Sequence, residues 1–176
     1  MMLMNIVVLL IIALVALALY ANSRPDTFRV QRATTIRASP EAIFGFVNDF
    51  HRWPSWSPWE KLDPAMQKTH SGAATGKGAV YEWAGNGKVG QGRMEITETV
   101  APNRITIKLD FLKPMEAHNV AEFSLAARGD ATEVVWAMHG PAPFVSKLMG
   151  VFVSMDRLIG KDFETGLANL KAAAEA

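Results

Sequence analysis

Between Met66 and Gly140 the chain is built from short alternations of apolar and polar residues, each closed by turn-forming residues. A period of two turns one side of an extended segment to a core and the other to water, so this region is confined to a sheet with one dry face. The pattern is clearest in Arg104–Phe111, where Ile105, Ile107, Leu109 and Phe111 alternate with polar neighbours. Strands are predicted over Ala79–Ala84, Gly92–Val100, Arg104–Phe111, Glu116–Ala126 and Ala131–Gly140, with a less regular one at Met66–His70. Their joints are Gly85-Asn86-Gly87, Ala101-Pro102-Asn103, Lys113-Pro114 and Arg128-Gly129-Asp130. Joints this short and this rich in turn formers connect neighbours, which makes the sheet an antiparallel meander.

Helical signals flank the meander. Phe28–Ala38 reads as another strand and stops at Ser39-Pro40-Glu41, an N-cap, an N1 proline and a first-turn carboxylate that together open a helix. Ile43, Phe44, Phe46, Val47 and Phe50 supply its apolar face. The chain then enters Asp49–Glu60, where Trp53, Trp56 and Trp59 fall within seven residues and two prolines prevent a long helix. Each ring buries roughly 150–250 Å² when packed, so this corner is expected to be fixed rather than loose. After Pro141-Ala142-Pro143 the helical period returns: Leu148, Phe152, Met155, Ile159, Phe163 and Leu170 form a stripe that predicts one long final helix. Gly150, Gly160 and Gly166 interrupt it and imply close packing, a bend, or room for something beneath.

The N-terminus obeys different rules. Ile6–Ala21 holds no polar side chain except the Tyr20 hydroxyl, and Met1–Ala21 as a helix would span about 31 Å, the thickness of a bilayer core. Tyr20 falls where an interfacial aromatic belongs. A cleaved signal peptide and a buried core helix are the alternatives; the first lacks a basic residue before the apolar run, and the second conflicts with apolarity on every face. The division expected is an anchor over residues 1–21, a linker over 22–27 and a folded domain over 28–176. Arg24, Arg29, Arg32 and Arg37 follow the segment, so the positive-inside rule makes this a single-pass membrane protein with a cytoplasmic domain.

Composition narrows the chemistry. Eighteen basic against seventeen acidic residues leave a formal charge of +1 and no basic stripe, which argues against a nucleic-acid partner. Absence of cysteine removes disulfides, thiolate metal sites and a cysteine nucleophile. Gly85-Asn86-Gly87-Lys88-Val89-Gly90 spells G-x-G-x-x-G, but a strand follows it instead of a helix, so it reads as a hairpin turn and no cofactor is expected. Thr75-Gly76-Lys77-Gly78 lacks the hydroxyl residue that a phosphate loop needs after its lysine. His51, His70, His118 and His139 show no metal-ligand spacing and read as surface or singly hydrogen-bonded; His118 and His139 lie on strands and could face inward. Strand acids such as Glu82, Glu95, Glu116 and Glu122 alternate with apolar neighbours and are expected in water. Glu98 shares the parity of Met94, Ile96 and Val100, which makes it the least comfortable of the strand acids, and it is read as a strand-end carboxylate that reaches solvent. No nucleophile elbow or catalytic residue stands out.

Several segments resemble the SRPBCC superfamily, which includes START-like, pollen-allergen-like and polyketide cyclase/dehydrase-like proteins. They are Ser39-Pro40-Glu41-Ala42-Ile43-Phe44, Asn48-Asp49-Phe50 with Trp53 and Trp56-Ser57-Pro58-Trp59, Trp83 with Gly85-Asn86, and Gly92 before Met94-Glu95-Ile96. Pro102-Asn103, Thr132-Glu133-Val134-Val135-Trp136 and Asp162-Phe163-Glu164-Thr165-Gly166-Leu167 complete the set. The resemblance implies the α+β helix-grip fold: a curved antiparallel sheet wrapped around a long C-terminal helix, with a cavity between them. On the sheet, Trp83, Met94, Ile107, Leu109, Phe111, Phe123, Trp136 and Met138 are expected to line it, with Asn119 as the one polar inward group; the alternative for all of them is core packing without a cavity. Met149, Met155 and Ile159 would line it from the helix, and Trp56 from the corner, which is either a hydrophobic plug or the cavity mouth. With the anchor, this implies a membrane protein that binds a lipid or another apolar small molecule. The alternatives are a cyclase- or hydrolase-type enzyme acting on an apolar substrate in that cavity and a membrane-held interaction scaffold. Ligand identity and oligomeric state are left open.

Overall fold

The computed structural model describes residues 2–176, except for the side chains of Met2 and Met155. An N-terminal helix α1 (Met2–Asn22) leads through Ser23–Asp26 into strand β1 (Thr27–Ile36). Helix α2 (Pro40–Val47) and two short 3-10 turns, Phe50–Ser55 and Trp59–Lys61, precede six further strands. These are β2 (Gln67–Gly72), β3 (Ala79–Ala84), β4 (Gln91–Val100), β5 (Arg104–Lys113), β6 (Ala117–Arg128) and β7 (Ala131–Pro141). Helices α3 (Phe144–Phe152) and α4 (Met155–Ala174) close the chain.

All seven strands form one antiparallel sheet in the order β1-β7-β6-β5-β4-β3-β2, so a single crossover brings the first strand beside the last. The concave face carries the alternation seen in Arg104–Phe111: Ile105 and Ile107 are fully buried. At Ile96/Glu98 the β4–β5 register slips, and the bulge reverses the parity beyond it. Glu98 therefore faces water and pairs with Arg104 at 2.7 Å, as expected of a strand-end carboxylate, and the bulge is what removes it from the face of Met94 and Ile96.

Local chemistry accounts for the turns of the chain before the sheet. Ser39 caps α2 by accepting from the Ala42 N–H at 3.3 Å, with Pro40 at the first helical position. Asp49 caps the next turn by accepting from the His51 N–H at 2.9 Å. Asp63 holds the Gly85–Gly90 turn through the Asn86 N–H at 2.7 Å, and Gly90 takes φ +63°; this G-x-G-x-x-G segment is the β3–β4 hairpin turn.

The single final helix expected from the stripe is two helices. Val153 adopts extended geometry (φ −129°, ψ 120°), and Ser154 starts α4 by accepting from the Arg157 N–H at 3.2 Å. A cap residue followed by Asp156 in the first turn restarts a helix, and apolar spacing alone does not register such a break. Only α4 grips the sheet. Phe163, Leu167 and Leu170 bury its inner stripe, Arg32 reaches from β1 to Asp156 (2.9 Å) and Glu164 (2.7 Å), and Lys171 donates to the Thr35 carbonyl at 2.6 Å. Two glycines serve this packing: a Cβ at Gly160 would lie 1.9 Å from Arg32 Nη2, and one at Gly166 2.7 Å from the Trp136 ring. The space beneath the helix is filled by protein side chains.

Candidate ligand site

Most of the volume inside the grip is aromatic. Trp136 is sandwiched between Phe123 (centroids 4.9 Å apart) and Phe163 (4.1 Å), with Trp56 and Trp59 set edgewise at 5.6 Å. Trp53 extends the cluster, 4.8 Å from Trp56. Backbone acceptors fix the corner: the Trp53 indole donates to Val47 O at 3.0 Å, the Trp56 indole to Phe46 O at 3.2 Å, and the Asn169 amide donates to Trp56 O at 3.1 Å. The Trp136 indole N–H is buried without an acceptor among the described residues. In this geometry Trp56, Phe123 and Trp136 occupy the interior instead of bounding a hollow.

The cluster stops short of one end of the sheet. Strand register places Phe28 opposite Gly140, Leu109 opposite Asn119, and Met94 opposite both Leu109 and Tyr81, so these residues form a row across the concave face. Behind it, Met138 pairs with Ala121 and Val30. Trp83, Phe111 and Ile159 are half-buried around this end. Gly140 makes room for an amide, since a Cβ there would come 2.1 Å from Asn119 Oδ1. Asn119 is buried, with 7% of its surface exposed.

The sheet residues expected at the site, Trp83, Met94, Ile107, Leu109, Phe111, Asn119 and Met138, share this concave face, whereas Met149 does not join them. It is 51% exposed on α3, because the break at Val153 detaches that helix from the grip. The side chain of Met155 lies outside the described residues. His118 and His139 face outward, toward Asp110 (2.7 Å) and Glu122 (3.5 Å), within ion pairs of the convex face. The strand parity that offered them an inward position in fact sets them opposite the core.

Two surface cavities lie elsewhere. One, of about 520 Å³, is bordered by Arg32, Ser154, Asp156, Arg157, Lys161 and Glu164 at the start of α4. Another, of about 270 Å³, lies between Phe50, His51, His70 and Val80. At its lip the His51 and His70 rings stack 4.3 Å apart. Burial, then the charge of His51, pushes the His70 pKa down. Beneath them Glu60 accepts from Tyr81 Oη at 2.8 Å and pairs with Lys68. Burial, followed by the Glu60 carboxylate, raises the Tyr81 hydroxyl well above its ordinary range. Sequence reading missed this constellation, because nothing in the spacing of His51, Glu60, Lys68, His70 and Tyr81 signals that β2 and the tryptophan corner meet.

With the fold in view, comparison is direct. Residues 27–175 match the family described as "Polyketide cyclase / dehydrase and lipid transport". The chain belongs to that family. No curated protein matches it. Solved structures that share the helix-grip fold include protein CV1439 from Chromobacterium violaceum, with 16% identity, TM-score 0.60, and coverage of 87% of this chain and 99% of that one. The Aha1 dimer of Colwellia psychrerythraea aligns with 18% identity, TM-score 0.56, and coverage of 84% and 96%. The di-domain ARO/CYC BexL of the BE-7585A biosynthetic pathway aligns with 15% identity and TM-score 0.61, over 89% of this chain and 53% of BexL. Identities this low establish the shared fold of this family member; a common fold leaves the chemistry of each site to be argued from its residues.

Proposed function

We propose that this family member is held in a membrane by α1 and binds a lipid-like or other apolar small molecule at the anchor end of the grip. The observation that carries this reading is a coincidence of ends. β1 starts at Thr27, four residues after α1, and Thr27 pairs with Pro141, so the row through Phe28, Asn119, Leu109 and Met94 lies at the edge of the sheet nearest the anchor. The aromatic cluster occupies the remainder of the face. α1 supports the anchor: an apolar stretch within Leu3–Asn22 has a mean hydropathy of 2.9 and is left unburied by the rest of the chain, in keeping with a span.

The walls of the row suit an apolar guest. Methionines at 94 and 138 adapt to irregular shapes, and Asn119 offers one amide to orient a polar end. Tyr81 is the other polar member, and its hydroxyl is taken by Glu60. Enzymatic cyclisation would need convergent acid and base groups along this row, so binding accounts better for its composition. The lipid transport in the family's description is in keeping with it.

Orientation follows the juxtamembrane charge. Arg29 and Arg32 are engaged within the folded domain, by Glu122 and by Asp156 and Glu164, which leaves Arg24 as the cation nearest the helix end and favours a cytoplasmic domain.

Purification of the full chain in nanodiscs, followed by native mass spectrometry, tests the binding reading. An apolar adduct is expected on the wild type and should disappear in Ala121→Phe, which fills the row from the sheet. An adduct unaffected by Ala121→Phe would refute the assigned position, and a wild type free of adducts after incubation with a lipid extract would refute binding.

A further inference from the structure

Helix α3 is amphipathic the wrong way round. At 100° per residue, Phe144, Phe152, Val145 and Met149 fall within an arc of about 140°, and these four are 45%, 72%, 59% and 51% exposed. Its polar side turns inward: Lys147 is 8% exposed and paired with Asp26, and Gly150 O accepts from Arg24 Nη1 at 2.8 Å. A helix at an ordinary surface does the opposite, burying its apolar stripe and wetting its charges. Val153 and Leu158, just past the helix, extend the exposed apolar surface. Such a contiguous patch requires an apolar partner.

Its position identifies the partner. α3 packs against α1, and the only cover on the latter beyond its first residues falls on Leu17, Ala18 and Ala21, the last stretch before the linker. That stretch is about 6 Å long, so α3 lies beside the end of the helix where hydrocarbon gives way to headgroups. The β5–β6 hairpin ends at the same edge, since β7 and β1 pair Pro141 with Thr27 there, and its tip exposes Leu112 and Met115 around Lys113. Two to three strand spacings separate that tip from β1, roughly 10–15 Å across a sheet.

We propose that α3 is a second, interfacial membrane element that lies in the bilayer surface with Phe144, Val145, Met149 and Phe152 inserted among the lipids. The β5–β6 tip forms a further contact, and together they press this end of the grip against the membrane. This rests on the reading of α1 as an anchor. Burial of about 5–10 Å into the headgroup and acyl boundary is what helices of this kind reach, and one turn of apolar side chains supplies it.

The absence of cysteine from the chain permits single labelling sites. Full-length Phe152→Cys, Leu10→Cys and Asp130→Cys, each carrying an environment-sensitive fluorophore, are reconstituted in mixed phosphatidylcholine and phosphatidylglycerol vesicles containing spin-labelled lipids. Shallow spin labels are expected to quench the Phe152 probe severalfold and deep ones the Leu10 probe, with Asp130, on the far β6–β7 turn, unaffected. A Phe152 probe that stays unquenched while Leu10 is quenched overturns the interfacial role of α3 and leaves the anchor standing. A Phe152 probe shifted to the blue but not quenched overturns it too, because protein, such as a second copy, then covers the face. An unquenched Leu10 probe overturns the anchor, and the Phe152 probe still decides α3 separately.

Discussion

Trp136 of the sheet lies flat on Phe163 of α4, the ring planes 7° from parallel and the centroids 4.1 Å apart. This stack joins the two layers of the grip, and Gly166 one turn later leaves the space that the Trp136 ring occupies. Phe163→Ala is expected to lower unfolding free energy by about 3–5 kcal/mol, through lost burial and the cavity left behind. Gly166→Ala improves helix propensity yet should still destabilise, by about 1–3 kcal/mol, because the new methyl has no room. Urea titration of the detergent-solubilised chain, followed by tryptophan fluorescence, measures both; a stabilised Gly166→Ala would contradict the packing.

Trp56 is the hub of the corner, fully buried against Trp53, Phe123 and Trp136. Trp56→Ala should cost about 3–5 kcal/mol, the loss characteristic of a plug. A near-neutral change accompanied by altered ligand uptake would make the corner a mouth instead.

Asn119 has its amide between Gly140 and the apolar row. Asn119→Leu replaces a buried amide by an apolar side chain of similar size beside an apolar row, so stability should change by less than about 1 kcal/mol. Binding should divide by chemistry: a fatty-acid or fatty-amide probe weakens, whereas a plain hydrocarbon binds as well as before. Equal weakening of both probes in a fluorescence displacement assay would remove the orienting role.

The convex face carries a titratable pair. The Asp110 hydrogen bond raises the His118 pKa above 6.5. For Asp110, burial pushes upward, but the hydrogen bonds from His118 and Lys108 outweigh it and hold the carboxyl below 3.8. A raised histidine stabilises fully below its unfolded value and loses that contribution as pH climbs through the folded value. A lowered carboxylate stabilises above its unfolded value and loses it as pH falls. The pair therefore contributes most between about pH 4 and 6.5. Stability of the wild type should decline above that window by more than that of His118→Asn, as thermal melts across pH 5–9 would register; parallel curves would exclude the pair.

Much of this protein is decided by neighbours along the chain. Alternation in Arg104–Phe111, the cap at Ser39-Pro40-Glu41 and the turn at Gly85–Gly90 act over a few residues, so the strands, the first helix, their order and the fold class were legible, as was an apolar run as long as a bilayer is thick. Register was less so: one bulge at Thr97 reversed Glu98, because a slip of one residue exchanges the two faces. Tertiary structure alone decided what fills the interior. Trp56, Phe123, Trp136 and Phe163 come from four separated segments and meet only in space. It also decided that Val153 ends one helix and Ser154 caps another, and that α3 thereby turns its apolar face outward beside α1. Apolar spacing establishes that a helix has a greasy side, whereas the direction in which that side points depends on the contacts of its ends.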